Sequence, residues 1–119
     1  MRIIVADAND NFRNVLVALM IDEGHDAIGI ALGGELVAEA KARPPHVIIA
    51  HVRFPDLNAL EALELLRASG ARVPAILTTG DPRLVPAREA ERLGVVGVLE
   101  KPFTLVQLRR VLASLAAGV

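Results

Sequence analysis

Five short apolar runs alternate with five stretches of helical periodicity along the chain. The runs are IIVA at 3–6, DAIGIA at 26–31, VIIA at 47–50, PAILT at 74–78 and VVGVLE at 95–100. Most are continuous rather than alternating, the pattern of strands buried on both faces; DAIGIA is the weakest of them. After the first run, Phe12, Val15, Leu16, Leu19 and Met20 recur at helical spacing. Asn9 or Asp10 is placed to cap that helix and Gly24 to end it. Val17 and Ile21 fall off the main stripe. Either they mark a contact face or the buried arc is wide. GELVAEAKAR predicts a second helix, stopped by Pro44 and Pro45. ALEALELLRAS, 59–69, predicts a third, closed by Gly70, and PAREAERLG, 86–94, a fourth whose start is blurred by Pro82 and Pro86. TLVQLRRVLASLAA, 104–117, predicts the last, with Thr104 as N-cap and Leu105, Leu108, Val111, Leu112 and Leu115 facing inward.

Strand and helix in strict alternation imply an α/β fold, a doubly wound parallel sheet with helices on both faces. Right-handed crossovers bring every strand's carboxyl end to one edge, where ligands bind in open α/β sheets. The residues predicted there are Asp7 and Ala8 after the first strand, His51 after the third, Thr79 after the fourth and Lys101 after the fifth. His25 and His46 fall at the opposite ends of the second and third strands. Asp10 and Asp56 read as an N-cap and a turn former. Gly33-Gly34 is followed by no Gly-Lys-Ser/Thr and is placed on the wrong edge for a phosphate loop.

Composition narrows the picture. The chain has 119 residues, is 53% apolar and has a mean hydropathy of +0.45, enough for one core. It has no cysteine, which excludes disulfides and thiolate metal sites. Its formal charge of −1 gives no electrostatic case for nucleic acid or an anionic membrane. Its three aromatic residues, Phe12, Phe54 and Phe103, make no stacking platform for single strands. No apolar run reaches membrane-spanning length and the start is no signal peptide, so a cytoplasmic location is expected.

LEKPFT at 99–104, with Lys101 before Pro102-Phe103, resembles the receiver domain of two-component response regulators. So do TTG at 78–80, HVRFPDLNALEAL after the third strand, the acidic ADAND turn after the first, and Arg13. The resemblance covers essentially the whole chain. It implies a flavodoxin-like (βα)5 fold with strand order 2-1-3-4-5, in a single receiver-like domain over 1–119 with no output domain in this chain. It also implies a chemistry in which a phosphoryl group passes from a kinase histidine to an aspartate after the third strand. Mg²⁺ held by that aspartate and an acidic pair assists; a hydroxyl and a lysine bind the phosphoryl oxygens.

The sequence departs from that pattern where the chemistry is done. His51 stands at the acceptor position, and Ala8 replaces one member of the acidic pair, leaving Asp7. Imidazole is a poor Mg²⁺ ligand and a methyl group is none. Val98 replaces the frequent switch aromatic, and Ala59 a common glycine. The expectation is a degenerate receiver, not an enzyme, with no cofactor and Mg²⁺ binding lost or very weak. Thr79 and Lys101 would persist without the metal, Lys101 paired with Asp7 and His51 filling the vacated pocket. Signalling would pass through protein contacts with a histidine kinase, a phosphotransfer protein, an output module or a second copy. Leu84, Val85, Val98, Val106 and Arg109 are the candidate contact residues. Two alternatives are a decoy that docks a kinase or phosphotransfer protein without turning over phosphate, and a small-ligand binder on the same scaffold. Against the latter, the sequence carries no nucleophile–base pair, phosphate loop or cofactor fingerprint.

Overall fold

The computed structural model describes residues 1–117. Its strands are β1 (Arg2–Ala6), β2 (Asp26–Ile30), β3 (Val47–His51), β4 (Ala75–Thr79) and β5 (Val95–Glu100). Its helices are α1 (Asp10–Asp22), α2 (Gly33–Ala42), α3 (Ala59–Ala68), α4 (Ala87–Arg92) and α5 (Leu105–Ala117). The strands form one parallel sheet in the order β2-β1-β3-β4-β5. This is the doubly wound, flavodoxin-like arrangement the alternation predicts.

Each strand feeds both faces, which is why its apolar run is unbroken. Ile4, Ile48 and Leu77 point to the side covered by α2 and α3. Ile3, Ile49 and Ile76 point to the side covered by α1 and α5, where Leu16, Met20, Leu108 and Leu112 meet them. Burying each such side chain fully is worth about 1.5–3 kcal/mol. Both clusters are built from apolar side chains, with the polar residues of the sheet edge outside them.

The structure corrects the phase of α1. Leu16 and Met20 are buried, but Val15 is 60% exposed and Leu19 38% exposed. Val17 packs on the core instead, while Ile21 faces solvent. The cause lies on β2. Gly29 leaves room for Arg13 and Val17; a Cβ there would meet Arg13 Cδ at 3.1 Å and Val17 Cγ2 at 3.3 Å. Asn9, not Asp10, is the cap, its side chain accepting from the Phe12 N–H at 2.9 Å. Asp10 instead pairs with Arg13 at 2.9 Å.

The fourth helix is shorter than its sequence pattern. Pro86 lacks an N–H and holds extended geometry, so α4 begins only at Ala87. The segment before it forms a 3-10 turn, Pro82–Leu84, capped by Asp81. The β2–α2 loop lies on the carboxyl edge, beside the site residues, because it follows the end of β2. The placement of Gly33-Gly34 on the other edge is thereby corrected.

Candidate functional site

Asp7 directly follows β1 and is 4% exposed. One carboxylate oxygen accepts from the Asn9 N–H at 2.8 Å. The other accepts from the Lys101 ammonium, also at 2.8 Å. Lys101 arrives from the turn after β5, where its N–H donates to the Thr79 carbonyl at 2.7 Å. Its Nζ also lies 3.8 Å from the centroid of the Phe12 ring, a cation–π contact. Phe12 in turn meets Phe103 edge to face, with centroids 5.9 Å apart. A carboxylate and an aromatic face thus hold one ammonium ion. Arg13 fixes the turn beneath it by donating to the Asp7 carbonyl at 2.9 Å.

His51 is the last residue of β3 and half-buried. Its Nδ1 lies 3.1 Å from the Arg53 carbonyl and 3.3 Å from the Arg53 N–H. The first contact is a hydrogen bond when Nδ1 carries the proton, the second when it does not. Nε2 has no hydrogen-bond partner among the described residues. Thr79 ends β4 and is buried; its hydroxyl accepts from the Asp81 N–H at 3.1 Å and so closes a local turn.

The predicted site residues fall into two groups. Asp7 and Lys101 form the ion pair, with Ala8 exposed beside them. His51 and Thr79 line a separate cavity of about 840 Å³ between α3 and the β4–α4 connection. The candidate contact residues come from the β4–α4 connection, β5 and α5. Leu84 and Val85 line that cavity. Val98 packs against the core, Val106 is exposed on α5, and Arg109 is bonded to Glu23 at the end of α1. His46 accepts from the Arg2 N–H at 2.7 Å at the far end of the sheet.

Two contributors escaped the sequence reading. Phe12 reads as a core residue, yet it also faces the lysine. Its place three residues after the Asn9 cap, beside the acidic turn, was the available signal. Asp56 does more than form a turn: it accepts from the Gly33 and Gly34 N–H groups at 3.0 and 2.8 Å. It thereby caps α2 from a distant loop, since Leu32 at the cap position has no side-chain oxygen. The Gly34 N–H, helped by those of Gly33 and Leu57, holds the Asp56 carboxyl below its ordinary range.

The donor set does not fit Mg²⁺. That ion demands octahedral oxygen ligands. Asp7 is the one carboxylate at the pocket, Ala8 offers a methyl, and a lysine ammonium already sits on the Asp7 oxygen. Among the described residues no group of three His, Asp or Glu side chains is arranged to hold a metal.

Comparison with known proteins settles the family. The response regulator receiver domain model matches residues 3–113. The chain belongs to the receiver family of two-component response regulators. The receiver is 33% identical over 110 residues to regulatory protein AtoC of Escherichia coli K12, a match covering 90% of this chain and 23% of AtoC. It spans about a quarter of the length of the first curated relatives it matches. Protein PilH of Pseudomonas aeruginosa is 26% identical over 119 residues, 98% of both chains. Among solved structures, the chemotaxis response regulator CheY4 of Vibrio cholerae is 25% identical, with a TM-score of 0.80 and coverage of 92% of this chain and 97% of CheY4. The Francisella response regulator 1452 receiver domain shares the fold with a TM-score of 0.87 at 21% identity, over 99% of this receiver and 98% of that chain. No helix of the described receiver is long and apolar enough to cross a membrane.

Proposed function

We propose that this receiver works as a protein-docking module in two-component signalling without being phosphorylated at the usual position. One observation carries the reading: the Lys101 ammonium is bound to Asp7 at 2.8 Å, where the acceptor aspartate and the second acidic residue are replaced by His51 and Ala8. Phosphoryl transfer rests on positioning and on neutralising charge as it develops. A site with one carboxylate, already neutralised by a lysine, supplies neither a metal nor the usual nucleophile. The sheet and both apolar clusters are present, which supports a role that needs the folded surface rather than the pocket. The partner class is a histidine kinase, a phosphotransfer protein or an output module.

The test is incubation with acetyl phosphate and Mg²⁺, followed by intact mass measurement. The expected mass is that of the unmodified chain, with a phosphorylatable receiver modified in parallel. A stable phosphoryl adduct on this chain would overturn the proposal.

A further inference from the structure

We propose that the cavity between α3 and the β4–α4 connection binds a small organic cation with an apolar body, of the aryl amidine or aryl amine class. The cavity lies beside the 3-10 turn Pro82–Leu84 and the start of α4. Leu77 of β4, Leu60 of α3 and Val85 give it an apolar lining. Leu84, at the rim, is 62% exposed. An apolar body placed there covers the exposed parts of Leu60, Leu84 and Val85, above a Leu77 that is already buried.

The polar groups select a cation. Glu61, Glu64 and Glu89 line the cavity, with Arg92 between the last two. The one guanidinium of Arg92 is shared by Glu64 and Glu89, so that cluster retains a negative charge. Glu61 gives one oxygen to the Asn58 N–H and has no cation among its partners. His51 also lines the cavity. Three carboxylates beside an apolar lining, balanced there by a single shared guanidinium, suit a ligand that brings N–H donors and a positive charge. Arg53 also lines the cavity and is exposed, where water screens its charge.

The experiment titrates the full chain with benzamidine, benzyl alcohol and benzoate and reads amide shifts by NMR. Benzamidine is expected to saturate, with shifts centred on Leu60, Leu77 and Val85, and to bind roughly tenfold more tightly than benzyl alcohol, the order one charge-assisted contact supplies. Glu64→Gln is expected to erase most of that preference. Val85→Trp, which fills the cavity, is expected to abolish saturation in a chain whose spectrum remains dispersed. Equal binding of benzoate, shifts away from the cavity, or an unchanged preference in Glu64→Gln would each overturn the proposal. So would tighter binding of acetyl-argininamide than of benzamidine, which would reassign the cavity to a partner's side chain. Glu64 lies at the surface, so its variant keeps the test decisive even where Val85→Trp unfolds.

Discussion

Asp7 is a buried carboxylate, and its position alone would be costly without a counter-charge. Lys101 and the Asn9 N–H supply that compensation. Removing one partner strands the other, so Asp7→Ala is expected to destabilise the receiver by about 3 kcal/mol. Lys101→Met in the Asp7→Ala background is expected to recover part of this, with a coupling of roughly 1–2 kcal/mol in a denaturant double-mutant cycle. Additive effects would mean that the ion pair does no structural work. Thr78 offers the opposite case. Its hydroxyl is buried with no hydrogen-bond partner among the described residues. Thr78→Val keeps the shape and removes the unpaired group, so it is expected to stabilise by about 1 kcal/mol in the same unfolding assay. The residue-level departures at His51 and Ala8 were legible in the sequence because single positions carry them. The role of Asp56 was not, because its partners lie more than twenty positions away and a linear pattern holds no record of them.

At the scale of elements, periodicity identified every strand and helix but misjudged phase and ends. α1 carries apolar residues around too wide an arc for spacing alone to choose the buried side. Gly29 on the neighbouring strand makes the choice by admitting Arg13 and Val17. α4 is trimmed at both ends of its predicted span, by Pro86 at the cap position and by Leu93 and Gly94, which end it. α2 shows how one element depends on another: its start is capped by Asp56, whose carboxyl is held below the ordinary range by the Gly34 N–H and its neighbours. A depressed folded pKa gives stability that is fully present above the unfolded value of about 4 and is lost as pH falls through the lower folded value. Amide exchange at Gly33 and Gly34 is therefore expected to lose protection as pH drops below that range. Asp56→Asn is expected to remove this pH dependence. Protection that stays flat on acidification would contradict the capping account.

For the whole molecule, the core and the sheet edge are separable. Two apolar clusters, one on each side of the sheet, specify the receiver fold, while the polar edge sets what chemistry it can perform. On the proposed reading, that edge offers too few oxygen ligands for a divalent cation, with Lys101 on the Asp7 carboxylate. Restoring them tests the same idea in reverse: Ala8→Asp with His51→Asp is expected to create saturable Mg²⁺ binding. The most direct measurement is calorimetric titration of the natural chain with MgCl₂, with that double variant as the positive control. The account predicts no saturable heat for the natural chain and a clear isotherm for the variant. Sub-millimolar Mg²⁺ binding by the natural chain would contradict it.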